Sequence, residues 1–320
     1  MLDGAATHEQ VEPLTPGTGG SAVVVTSRRR LTALSGALPL ELDIMPPGQA
    51  ADLFTRVSGC GGNEPEAVAE LVALAGRLPL AIQLLGARLR SHRSWTVADL
   101  AGELAAARDR SAAIGAADEP VRAVFDLSYL ALPARRRRFF RHLGLQPGPS
   151  IDACAAAALT GLGLGQAGAE LDALFAIHLI EELAPGRYRL HDLLGDYARA
   201  LAATDPPGDR DRAIGRLLDY YTSTAQAADR QLTRRAASGT PADGVPASVP
   251  DLSTREQAMA WMDAERSNLH AAVVHAARHH WLAHASAIPA AMDSFLRTTG
   301  HWDQGPGTPP DRRRGGPPGQ

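Results

Sequence analysis

The chain has 320 residues, 45% hydrophobic and 21% charged, with a formal net charge of −3. This is a soluble, globular composition with room for two or three compact modules, and the charge balance excludes an overall attraction to nucleic acid or to an anionic membrane. The only cysteines are Cys60 and Cys154, which excludes a disulfide framework or a cysteine-built zinc site and fits a reducing compartment.

Ala22-Val23-Val24-Val25-Thr26 is a short β-branched run between Gly19-Gly20 and Ser27-Arg28-Arg29-Arg30. It reads as a strand buried on both faces of a parallel sheet. Leu40–Ile44, closed by Pro46-Pro47, is expected to pair with it in parallel. From Gln49 the pattern turns helical, with Ala50, Leu53, Phe54 and Val57 on one face. A second helix is predicted over about Glu64–Leu74. A third starts near Pro79, where a first helical turn tolerates proline, and carries Ile82, Leu85 and Leu89.

From Pro120 to Ala203 the sequence predicts several helices, then a strand and another helix. Val124, Leu127 and Leu130 lead into Arg135–Arg141, followed by helices over Ala153–Leu159 and Glu170–Leu179. Pro185-Gly186 reads as a turn, Tyr188–Leu190 as extended, and His191–Leu201 as helix. Arg212–Leu232 is amphipathic. Ala236–Pro250, rich in Gly, Pro, Ala and Ser, reads as a linker; Thr254–Thr299 is again helical, and Gly305–Gln320 is expected to be disordered. The fold class expected is mainly α.

Met1-Leu2-Asp3-Gly4 lacks the basic and apolar regions of a signal peptide, and no apolar run is long enough to span a bilayer. The expected location is the cytoplasm. Arg135-Arg136-Arg137-Arg138 has the composition of a nucleic-acid patch, but it adjoins Phe139-Phe140 and reads better as the solvated face of a half-buried helix. His275, His279, His280 and His284 contain i,i+4 pairs without a carboxylate or Cys at matching spacing, a weak metal signature.

Four segments, in order, resemble the NB-ARC family of STAND-class nucleotide-binding regulators. Met1-Leu2-Asp3 resembles the end of a Walker B strand, Val23–Arg28 the sensor strand, Gly76-Arg77-Leu78-Pro79-Leu80-Ala81 the G-L-P-L-A element, and Tyr188–Leu193 the M-H-D element of a winged-helix subdomain. The resemblance implies ADP or ATP with Mg²⁺ as ligand. It assigns Asp3 to the metal, Arg28 to a γ-phosphate, Leu78 and Pro79 to the adenine side, and His191 to the β-phosphate of ADP. Arg at the carboxyl end of a parallel strand is well placed for that chemistry, since guanidinium pairs with phosphate oxygens. Trp261–Leu269 resembles the start of the tetratricopeptide-repeat region in antibiotic-regulatory-type transcription regulators of high-GC bacteria, and Phe295–Asp303 resembles part of one repeat.

The resemblance implies a remnant of a parallel α/β P-loop NTPase subdomain over 1–46 and a helical ARC-like subdomain over 47–115. A winged-helix-like subdomain over 116–206 follows, then a connecting helix over 207–235 and a linker over 236–250. Tetratricopeptide-like helices over 251–302 and a disordered tail over 303–320 complete the chain. One family element is missing. A Walker A loop needs G-x-x-x-x-G-K-[ST] ahead of Walker B, and this sequence starts at Walker B and contains no Lys. The chain therefore reads as N-terminally truncated, with weak or no ADP binding alone and no ATP hydrolysis. The expected function is the switch module of a transcription or signalling regulator, with protein partners on its helical repeats, no membrane and no direct nucleic-acid contact. Two alternatives stay open: a helical interaction module without nucleotide, and a winged-helix DNA-binding regulator.

Overall fold

The structure is a computed structural model that describes residues 1–16, 21–27, 31, 33–34, 36–40, 42–60, 63–112, 119–233 and 250–300. Arg28, nearly all of the linker expected at 236–250, and the tail expected at 303–320 lie outside the described residues. The chain divides into two compact units, Met1–Ile44 and Met45–Gln320. It is mainly helical, and among the described residues no helix is long and apolar enough to cross a membrane.

The first unit holds a single-turn helix α1 (His8–Val11) and a 3-10 turn over Glu12–Leu14. Its parallel pairing joins Val25 to Leu2, with Leu2 N donating to Val24 O at 2.8 Å and Thr26 N to Leu2 O at 2.9 Å. The expected partner, Leu40–Ile44, carries no strand at its described positions. The reason is burial. A strand pair needs an apolar layer to cover it, and Val11 is the only buried residue among those described in this unit. Val24 is 59% exposed and Leu42 89%. The β-branched run is therefore not buried on both faces, which corrects the expectation drawn from its composition.

The second unit opens with four helices: α2 (Pro47–Ser58), α3 (Pro65–Leu74), α4 (Pro79–Ser91) and α5 (Val97–Ala112). Pro47, Pro65 and Pro79 stand in first turns, where a missing N–H costs nothing. Thr96 and Asp99 cap α5 reciprocally: Asp99 N donates to Thr96 Oγ1 at 3.1 Å, and Thr96 N to Asp99 Oδ2 at 2.9 Å. These helices close over Phe54, Leu71, Ile82, Leu85, Leu100 and Leu104, all fully buried; each such side chain contributes about 1.5–3 kcal/mol.

Next come α6 (Glu119–Leu130), α7 (Ala134–Leu143), β1 (Ile151–Asp152), α8 (Ala153–Thr160), α9 (Leu164–Ala176), β2 (Glu181–Ala184), β3 (Arg187–Arg189) and α10 (Asp192–Ala202). The three strands form an antiparallel sheet in the order β1-β3-β2. Helix α9 stops before the Leu179 expected from sequence. His178 takes a left-handed backbone, φ 60°, and turns the chain into β2. In α7 the adjacent Phe139 and Phe140 are both buried. Their arginine neighbours are tied down: Arg136 Nε donates to Glu170 at 2.7 Å, Arg135 lies 3.5 Å from the same carboxylate, and Arg141 Nε donates to Asp205 at 2.8 Å.

The 26-residue α11 (Pro207–Leu232) follows, then α12 (Arg255–Arg278) and α13 (Leu282–Thr299). Helices α11, α12 and α13 pack on one another, and α11 also packs on α8. Tyr220, Tyr221, Met262, Leu269 and Phe295 are fully buried in this part of the core.

Candidate functional site

Two of the sequence-singled segments meet at one cleft in the second unit. The first wall begins where α3 ends. Gly76 and Arg77 both take left-handed backbones, φ 68° and 54°. Arg77 N donates to Val72 O, and Gly76 N to Ala73 O, each at 3.0 Å. A non-glycine residue held there costs about 1–3 kcal/mol. The double reversal aims the chain so that Leu78, extended, becomes the N-cap of α4 and Pro79 its first helical residue. Pro79 is exposed and Leu78 half-buried. The side chains of this turn that line the cleft are Leu80 and Gln83.

The opposite wall comes from the α9–β2 junction and the start of α10. Phe175, His178, Glu181, Glu182, His191 and Leu194 contribute to it, around a volume of about 280 Å³. His191 is the N-cap of α10, its Nδ1 accepting from Leu193 N at 3.3 Å. An accepting Nδ1 leaves the proton of the neutral ring on Nε2, so the ring offers one N–H donor besides its capping role. His178 is fixed in the other sense. Arg90 can only donate, so its contact at 3.2 Å to His178 Nε2 makes that nitrogen the acceptor and places the ring proton on Nδ1. Burial, and then the charge of Arg90, lower the His178 pKa.

The structure thus brings His191 beside the first turn of α4, with Leu78 and Pro79 immediately before the lining residues. Asp3 belongs to the first unit, where its carboxylate accepts from the Thr26 hydroxyl and Gly4 N donates to Thr26 Oγ1 at 2.9 Å. Gln83, His178 and Arg90 were not foreseen from sequence. Gln83 had a visible signal, four residues past Pro79 on the same helix face; the left-handed His178 had none. Among the described residues no three His, Cys, Asp or Glu side chains converge as a metal site. In the histidine-rich segment the His275 and His279 rings lie 4.3 Å apart, and His284 Nε2 is 2.8 Å from Asp219.

No protein-family model matches the chain. Over 276 residues it is 44% identical to the Regulatory protein AfsR of Streptomyces griseus, an alignment covering 84% of this chain and 28% of that protein. Over 232 residues it is 43% identical to the Regulatory protein AfsR of Streptomyces coelicolor, covering 70% of this chain and 23% of that protein. The chain is therefore related to regulatory proteins, and it spans about a quarter of the length of the curated relatives it matches.

Proposed function

We propose that the chain is the nucleotide-responsive switch portion of a regulator, not a catalyst, and that the cleft between α4 and His191 takes ADP. The supporting observation is that cleft. The resemblance assigns Leu78–Pro79 and His191, far apart in sequence, to opposite ends of one nucleotide, and the cleft is lined by His191 and by Leu80 and Gln83, which follow Pro79 on α4. In this reading His191 donates from Nε2 to a phosphate oxygen and the Leu78–Pro79 turn lies against the base. The short helices, the antiparallel β1-β3-β2 sheet and the β2–β3 hairpin support reading 116–206 as a winged-helix-like clamp. The paired helices α12 and α13 support a tetratricopeptide-like region.

The donor set fits ADP only in part. His191 can offer its Nε2 N–H, but Glu182 in the lining repels phosphate, Glu181 is already paired with Arg189 at 2.9 Å, and the sequence offers no lysine. The cleft is slightly smaller than the roughly 300 Å³ at which small-molecule sites begin. Weak or no ADP binding by these residues alone follows. The acidic rim is also the observation that favours the second reading, a helical protein-interaction module that takes no nucleotide. The test is an NMR titration of the labelled chain with ADP. Saturable shifts at His191 and Leu80, lost in His191→Ala, support the switch. No shifts at millimolar ADP would leave the interaction module.

A further inference from the structure

A buried polar cluster joins the sheet to α12. Glu265 on α12 has a fully buried side chain, and both of its oxygens are used. Oε1 accepts from Arg187 Nη2 on β3, and Oε2 accepts from Asn268 Nδ2 at 2.7 Å. Arg187 Nη1 also donates to Ser150 Oγ at 3.1 Å, and Ser150 N donates to Asn268 Oδ1 at 3.3 Å. The loop before β1 is pressed so closely on α12 that a Cβ at Gly148 would fall 2.2 Å from Asn268 Oδ1. Arg187 itself is 19% exposed, at the rim. Four residues further on stands His191.

A buried ion pair is a poor way to gain stability, because desolvation offsets most of its attraction. It is an effective way to make a contact reversible. Separating an apolar seam exposes hydrocarbon to water; separating Glu265 from Arg187 returns two ions to water, where each is well solvated. The bonding is also specific, since one placement of α12 satisfies both oxygens.

We infer that Arg187, Glu265, Asn268 and Ser150 form a releasable latch between α12 and the sheet that leads to His191, one that can open while the apolar packing of α12 and α13 on α11 stays in place. This goes beyond the nucleotide reading and does not depend on it.

Amide hydrogen exchange on the full chain tests the latch with two variants that a merely structural contact would not separate. At a pH high enough to keep Glu265 ionised, Arg187→Met strands its charge, and α12 should part from the sheet to hydrate it. Exchange across Arg255–Arg278 should accelerate on the order of a hundredfold, while α3 and α4 keep their parent rates. Glu265→Leu removes the buried charge and leaves Arg187 at the rim, within reach of water, so α12 should stay protected within about threefold of the parent. Unchanged exchange of α12 in Arg187→Met would overturn the latch. So would equal acceleration in both variants, or acceleration spread evenly over every helix. If Glu265→Leu fails to fold, the double variant Arg187→Met/Glu265→Leu takes its place, with the same protection expected and its loss counting against the latch.

Discussion

The hydroxyl of Tyr197 on α10 donates to Asp126 Oδ1 on α6 at 2.5 Å, across 71 residues of sequence. Tyr197 is buried against Phe125, Tyr129 and Phe140. Burial, and next this bond to an anion, push the Tyr197 pKa far up, so the phenol stays a donor at any ordinary pH. Tyr197→Phe keeps the ring and leaves a half-buried carboxylate without this donor. Urea unfolding should show a loss of about 1–3 kcal/mol, and Tyr197→Phe in an Asp126→Ala background should cost clearly less.

Gly144 stands where the C-terminal end of α7 crosses α10. A Cβ there would lie 2.6 Å from the Ala198 carbonyl carbon and from Arg199 N. These are backbone atoms of a helix and cannot swing aside. Gly144→Ala should therefore destabilise by about 1–3 kcal/mol, seen as a lower thermal midpoint with the helical circular dichroism retained at low temperature.

His142 is 3% exposed in α7. Burial first, then the charges of Arg138 and Arg216, lower its pKa from 6.5 to about 4. Between these values the unfolded chain binds a proton that the folded chain refuses. Its contribution is fully present above pH 6.5 and is lost as pH falls toward 4, on the order of 2–3 kcal/mol. His178 and His275 are shifted in the same direction and add to the slope. Replacing His142 with Gln should make the pH dependence of urea stability shallower over that window without removing it.

His191 has two separable roles if it caps α10 and also donates to a phosphate. Asn also caps a helix, so His191→Asn should keep stability within about 0.5 kcal/mol, whereas His191→Ala should lose about 1 kcal/mol. Both should abolish the ADP-induced shifts at Leu80. An Asn variant that still responds to ADP would show that the ring nitrogen is not the phosphate donor.

Helices were legible wherever apolar residues recur at helical spacing. Phe54, Ile82 and Leu85 were placed correctly from that pattern, and the Pro79 start was read from proline's tolerance of a first turn. The Thr96–Asp99 capping pair is equally visible, but the Ala-rich face of α5 has little apolar contrast and gives its periodicity little signal. Ala22–Thr26 misled for a different reason. A β-branched run looks the same whether or not other chain segments lie over it, and periodicity carries no information about neighbours. The His191 cleft was approached through motif order, while its left-handed corner at His178 left no trace in residue type. Glu265 and Asn268 were invisible as buried groups, because polar residues three apart on a helix ordinarily mark its wet face.

The long helix α11 has a mechanical consequence. At 26 residues it is about 39 Å from end to end, and it touches α8 as well as α12 and α13. A rigid rod of that length multiplies angles into distances. Turning it by about 10° at one end carries the other through ~7 Å, more than one helical pitch. A side-chain rearrangement far too small to see in a solution profile would thus, if it tilted this rod, become a displacement wide enough to re-register one helix against another.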